Sequence, residues 1–417
     1  MERLDAPGPL LRRGPRPLVL HLTLAMLRSS ASLAGSPSSS SGWPGSSAAF
    51  QAAAQGIAAA LQSGGQSEGA EAFPSALLRE VLRQDRALLA GIAAYRRHPW
   101  RRTLADPPSV WTEGGTRMLD YAPAAGPGAP TVLFVPSLVN RAYVLDLQPG
   151  HSMMRFLAAE GVRPLLLDWG WPGPAEREFG LTDYVAGRME RAMTAARQLA
   201  GAPAVLAGYC MGGTLSVAAA QRRPDLVRGL ALLAAPWDFH AEDQERAEWT
   251  GRMLPVLEPA LAFAGTLPVD LLQMLFSLLD PFGVTAKYRA FARVRPDSDR
   301  ARLFVALEDW LNDGVPLAAP VARETLGGWY AQNTPGIGAW RIAGLPVDPG
   351  ALRMPAFVAI PARDRIVPPG SARALADQIP GALVHTPQAG HIGMAAGSGA
   401  EAHLWRPLLG WLRSLPT

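Results

Sequence analysis

The stretch Pro203-Ala204-Val205-Leu206-Ala207-Gly208-Tyr209-Cys210-Met211-Gly212-Gly213-Thr214-Leu215-Ser216-Val217-Ala218-Ala219-Ala220-Gln221 decides how this chain folds. Residues 203–207 are short and apolar, as a buried strand requires, and 214–221 read as a helix. Between them stands Gly208-x-Cys210-x-Gly212-Gly213. Strand, tight turn with a central nucleophile, then helix is a nucleophile elbow. The turn forces its central residue into a strained backbone conformation. Side chains at Gly208 and Gly212 would collide with the neighbouring strand or helix. The product is an exposed sulfur beside a helix N-terminus, whose N–H groups favour a thiolate or an oxyanion. Cys210 is the chain's single cysteine, and a lone cysteine also serves as a small buried hydrophobe. The surrounding residues must decide between the two uses.

The totals set the frame. At 417 residues the chain can hold one large α/β domain with an insertion, or two domains. A hydrophobic share of 48% with 18% charged residues suits a globular protein with a large core. The net charge of +4 comes almost wholly from arginine, with Lys287 the one lysine. Those arginines are scattered, which argues against nucleic acid as a partner. A mild positive field is compatible with a phosphate-bearing substrate such as a coenzyme A thioester. One cysteine allows no intramolecular disulfide. No Cys/His metal spacing and no Walker or Rossmann glycine fingerprint is present, so neither a metal nor a bound cofactor is expected.

Working outward toward the N-terminus, residues 1–75 are low-complexity. Arg12, Arg13 and Arg16 precede the apolar run Leu18–Leu27, which His21 interrupts and Arg28 closes. The pattern partly resembles a signal peptide and equally fits a surface-seeking segment; it is too short to span a membrane. Residues 29–75 are rich in Ser, Gly, Ala and Pro and are expected to be mostly disordered, with a weak Ala-rich helix over 48–62. A helical lead-in is expected over 76–98, capped by Ser75. The catalytic core is assigned to 99–236 and 346–417. Strands are expected at Thr131–Val135, Pro164–Trp169, Gly229–Ala235 and Pro355–Ile360, with helices over 143–160 and 183–200. Strands alternating with helices imply a mainly parallel sheet with helices on both faces. Residues 237–345, helical and aromatic, interrupt the alternation. They read as a cap over the edge where the elbow opens, or as a plain helical subdomain.

An elbow on such a sheet, with a helical cap, is the α/β-hydrolase fold, which delivers nucleophile, acid and histidine in that chain order. Asp364 follows the resumed strand, and His391 in Gly390-His391-Ile392-Gly393 follows the next one. His391 would take the proton of Cys210, and Asp364 would orient His391 and stabilise its cation. Arg363 and Arg365 are expected to keep Asp364 ionised. Asp238, after the preceding strand, is the rival acid. His385, His403, His151, His98, His21 and His240 fit the order less well. For an oxyanion hole the donors would be the N–H groups of Met211 and Val139, with Leu138 next in line for the second.

With these residues in place, the chain resembles the polyhydroxyalkanoate (poly-3-hydroxybutyrate) synthase family of the α/β-hydrolase superfamily. Gly208-Tyr209-Cys210-Met211-Gly212-Gly213 is similar to that family's lipase-like box. So are Leu138-Val139-Asn140-Arg141 with Leu145-Asp146-Leu147-Gln148-Pro149, Leu167-Asp168-Trp169-Gly170, Thr182-Asp183-Tyr184, Leu233-Ala234-Ala235-Pro236 and Asp364 with Val367-Pro368-Pro369. The resemblance runs over about residues 130–240 and 355–395. It implies acyl transfer: Cys210 attacks the thioester of an (R)-3-hydroxyacyl-coenzyme A, and His391 then activates a hydroxyl so that a polyester chain grows. It also implies a cytoplasmic enzyme, with a granule surface and a homodimer or second synthase subunit as the partners to look for. Residues 1–98 have no clear counterpart to the large N-terminal domain of the long synthases. The competing readings are a Cys-dependent hydrolase, either a thioesterase or an intracellular polyester depolymerase, and a catalytically silent granule-binding protein.

Overall fold

The elbow sequence sits at the centre of an eight-stranded sheet in a computed structural model that describes residues 12–34, 68–126, 128–277 and 279–416. The strands, in chain order, are β1 (Ser109–Glu113), β2 (Thr116–Asp120), β3 (Thr131–Val135), β4 (Arg163–Asp168), β5 (Ala204–Tyr209), β6 (Val227–Leu233), β7 (Ala356–Ala359) and β8 (Leu383–His385). Their spatial order is β1-β2-β4-β3-β5-β6-β7-β8. The hairpin β1–β2 is antiparallel and meets β4 antiparallel; every pairing from β4 to β8 is parallel. Every residue of β3 and β5 is buried, which explains their unbroken apolar runs: helices cover both faces. The registers Val135↔Gly208 and Tyr209↔Leu233 bring the C-terminal ends of β3, β5 and β6 level. The loops leaving those ends build the site, as ligand sites on parallel sheets do.

The structure corrects several local expectations. No helix runs over 143–160. A 3₁₀ turn (Ala142–Leu145) leads into a short antiparallel pair, Asp146–Gln148 with His151–Ser152, and only Met153–Ala159 is helical. Pro149-Gly150, with Gly150 at φ +76°, turns the chain there. The buried Asp146 is fixed by Arg102 and Arg155 at 3.1 and 2.8 Å. The β1–β2 hairpin was not anticipated; it turns at Gly114-Gly115, with Gly114 at φ +55°.

The chain forms two compact units. One holds Trp100–Leu279 and Ala306–Thr417. The other holds Met1–Pro99 and Asp280–Val305. Residues 237–345 are therefore not one cap: 280–305 pack with the N-terminal part. In that unit the apolar run at 18–27 is the first half of a helix, Leu18–Ala34, that continues through residues assigned to linker. His21, Ala25 and Ser29, four residues apart, form its buried stripe, and Ser29 Oγ donates to Asp85 at 3.0 Å. The lead-in helix spans Glu68–Arg97 and begins before Ser75, so Ser75 does not cap it. Tyr95 packs edge-on against Tyr288 at 5.7 Å. The helix expected over 48–62 lies outside the described residues. No described helix is long and apolar enough to cross a membrane.

Candidate active site

Cys210 stands at φ +55°, ψ −130°, between β5 and the helix Met211–Arg222. Its N–H is held by Leu233 O at 2.9 Å, and its carbonyl accepts Gly213 N–H at 2.8 Å. The glycines are sterically obligatory. A Cβ on Gly208 would lie 2.4 Å from Gly213 Cα; one on Gly212 would lie 2.1 Å from Val135 O. Both obstacles are backbone, so neither can yield without moving the sheet. Cys210 is half-buried, less enclosed than the core residues it packs against.

The other two members arrive on adjacent loops. Ala362 N–H donates to Pro387 O and Arg363 N–H to Ala389 O, at 2.9 and 3.0 Å, so the loops after β7 and β8 are stitched together. Asp364 Oδ2 lies 2.7 Å from His391 Nδ1. Asp364 Oδ1 accepts the N–H groups of Ile366 and Val367 at 2.8 and 2.9 Å. Of the flanking arginines, Arg363 donates to Gln388 O. With Nδ1 engaged, Nε2 is left for Cys210, which hydrogen-bonds the ring. Burial opposes the charged imidazole most strongly. The negative charge of the Cys210 sulfur, then that of Asp364, together with hydrogen bonds from both, outweigh it and raise His391 to about 10.

The rivals are occupied elsewhere. Asp238 Oδ1 accepts from His240 N–H and from Asn333 Nδ2 at 2.9 and 2.8 Å. His385, His151 and His240 contact the carbonyls of His403, Ala396 and Tyr330. His98 reaches Pro296 O, and His21 reaches Arg16 O. Met211 opens the elbow helix, where first-turn N–H groups lack intrahelical partners. Val139 lines the space beside the sulfur, but its N–H meets Ser137 Oγ at 3.2 Å. Trp169 Nε1 donates to Pro136 O at 2.9 Å and steadies that loop. Among the described residues, no group of three or more His, Cys, Asp or Glu could hold a metal ion.

One residue escaped the sequence reading. Tyr209, directly before Cys210, packs its ring 5.2 Å from the His391 ring and donates its hydroxyl to His391 O at 3.2 Å. Burial and the charges of Cys210 and Asp364 push its phenol up, so it stays a donor. Its position in the elbow motif was the only available signal.

Two cavities open at the sulfur. The larger, about 150 Å³, is walled by leucines and aromatics of the cap, including Leu267, Leu275, Leu317 and Trp329. The smaller, about 130 Å³, includes Asn140, Arg141, Trp310 and His391 in its wall.

Residues 130–397 match the alpha/beta hydrolase fold family. The chain is 31% identical to the poly(3-hydroxyalkanoate) polymerase subunit PhaC of Haloferax mediterranei, over 67% of this chain and 58% of that protein. The subunit of the same name from Haloarcula marismortui is 30% identical, over 72% of this chain and 66% of that one. That from Allochromatium vinosum is 30% identical, over 73% and 87%. The chain thus spans under two thirds of the first two relatives and most of the third. It belongs to the poly(3-hydroxyalkanoate) polymerase PhaC family, within the alpha/beta hydrolase fold.

Proposed function

We propose that this protein is an acyltransferase that builds polyester from (R)-3-hydroxyacyl-coenzyme A, with Cys210 as nucleophile, His391 as base and Asp364 as its orienting carboxylate. The observation that carries the reading is the 2.7 Å hydrogen bond between Asp364 and His391 Nδ1, which leaves the other ring nitrogen for Cys210 at the elbow. While the sulfur is anionic, the ring keeps its proton. The thiolate attacks the thioester carbonyl, the carbon–sulfur bond to coenzyme A breaks, and the leaving thiolate takes the proton from His391. Acylation has then removed the charge that raised the ring, so His391 is left neutral and ready to act as a base. It accepts the proton of an incoming hydroxyl, the new ester bond forms, and Cys210 leaves as the thiolate.

Met211 N–H and Val139 N–H would stabilise the oxyanion, the second after release from Ser137 Oγ. No cofactor enters beyond the coenzyme A of the substrate. The reading places the enzyme in the cytoplasm at the surface of a polyester granule. It also has the enzyme working as a homodimer or with a second subunit; the relatives' designation as polymerase subunits supports the latter.

The test is incubation of the purified protein with 3-hydroxybutyryl-coenzyme A. Release of coenzyme A with polymer supports the proposal. Release with only free 3-hydroxybutyrate makes the protein a thioesterase instead. Cys210→Ala should abolish release; undiminished turnover in that variant would move the chemistry to another site.

A further inference from the structure

The two cavities at Cys210 differ in one chemical respect: His391 lines the smaller one and is absent from the wall of the larger. Transfer of an acyl group from sulfur to a hydroxyl needs the hydroxyl within hydrogen-bond reach of the base and beside the carbonyl carbon on the sulfur. Only the smaller cavity meets both conditions. In the larger one, the carboxylates near the sulfur are engaged: Asp238 by His240 and Asn333, and Glu242 by Gly370 N–H at 2.8 Å. Its remaining wall is largely aliphatic and aromatic, a surface suited to alkyl groups and not to a nucleophile awaiting deprotonation.

The smaller cavity carries a second signal. Asn140 Oδ1 and Arg141 Nε are buried and have no partner. Buried polar atoms are nearly always paired; the wall of the larger cavity holds one such atom, Trp329 Nε1, whereas the smaller has two on adjacent residues of the wall that also carries His391. The backbone holding them is fixed: Trp310 Nε1 donates to Arg141 O at 2.7 Å, and Asn140 bridges Gly314. A polyester chain offers, apart from its terminal hydroxyl, only carbonyl and ester oxygens. It therefore needs donors. Arg141 Nε–H is one, and a half-turn of the Asn140 amide supplies another in place of its oxygen.

Resting on the acyltransferase reading above, we propose that the two cavities divide the two reactants. The leucine-walled cavity holds the 3-substituent of the acyl group on Cys210. The His391 cavity holds the hydroxyl-bearing acceptor, with Asn140 and Arg141 as positioning residues for its carbonyl oxygens. In the transfer, the acceptor oxygen bonds to the acyl carbon, the carbon–sulfur bond breaks, and the hydroxyl proton passes to His391.

The two half-reactions separate these roles. Acylation is read as the burst of coenzyme A released from one equivalent of 3-hydroxyacyl-coenzyme A. Transfer is read as extension of a hydroxyl-terminated 3-hydroxybutyrate trimer methyl ester. Asn140→Ala and Arg141→Gln should raise the KM for the trimer at least tenfold while the burst rate changes less than threefold. Asn140→Ala breaks no ion pair and serves as the check on Arg141→Gln, whose guanidinium also lies 3.6 Å from Asp168. Leu317→Ala should raise the ratio of 3-hydroxyhexanoyl to 3-hydroxybutyryl burst rates about tenfold and leave the trimer KM within twofold. Equal losses in burst and extension for Asn140→Ala overturn the division, and so does a trimer KM that responds to Leu317→Ala. A wild-type protein that releases coenzyme A yet never extends the trimer overturns the acyltransferase reading, and the division with it.

Discussion

The site has two walls made in different ways. The sheet-edge wall carries Cys210, Asp364 and His391, and the main chain holds it: the Gly208 and Gly212 contacts, the two N–H groups on Asp364 Oδ1, and the stitches between the loops after β7 and β8. The cap wall is held by side chains. Asp238 and Asn333 clamp its two ends, with Phe239 N–H donating to Asn333 Oδ1 at 2.9 Å. Phe239, Trp329 and Trp340 pack behind them at ring separations of 5.5 and 5.3 Å. A wall set by backbone geometry tolerates almost no change, because a peptide group cannot rotate out of the way as a side chain can. A wall set by side chains can be repacked and retuned. The chemistry is therefore fixed on one side of the sulfur and adjustable on the other.

The contrast can be broken in a graded series. Gly212→Ala should have the largest effect: with Val135 O and Pro136 O at 2.1 and 2.6 Å from the new Cβ, the sheet must shift. We expect a loss of at least about 3 kcal/mol, read by denaturant unfolding, or no folded protein. Asp364→Asn should keep the fold and slow polymer formation by roughly 10²–10⁴-fold, because His391 loses its orienting partner. Cys210→Ala should lower the pKa of His391 from about 10, as the largest raising influence disappears, whereas Asp238→Asn should leave it unmoved. Below that lowered value the ring stays charged, and above it the ring is neutral, so an imidazole ¹⁵N titration reads the difference directly. On the cap, Asn333→Ala removes two hydrogen bonds at a residue with φ +51°, and we expect a loss of about 1–3 kcal/mol by thermal melting. Phe263→Ser, at a side chain 95% exposed, should change stability by less than about 0.5 kcal/mol. A cap substitution as damaging as Gly212→Ala would erase the distinction.

The same division governs how much could be read from the sequence. Cys210, Asp364 and His391 were legible because each follows its own strand in a fixed order, and the glycines announce the turn. Pro149-Gly150 was an available stop signal whose meaning depended on Asp146, a buried carboxylate paired with Arg155 nearby and with Arg102 from 44 residues earlier. The separation of 280–305 from the rest of 237–345 rests on pairings such as Tyr95 with Tyr288, which local periodicity does not record. The helix Leu18–Ala34 was hidden because its buried stripe is His21, Ala25 and Ser29, not its leucines. Asp364 was expected to be served by its flanking arginines; the backbone N–H groups of Ile366 and Val367 bond its carboxylate.

Tyr209 gives the sheet-edge wall one further property. The residue that precedes Cys210 packs against the His391 ring and donates to the His391 carbonyl. One strand end thus carries both the sulfur and a fixed contact to the imidazole.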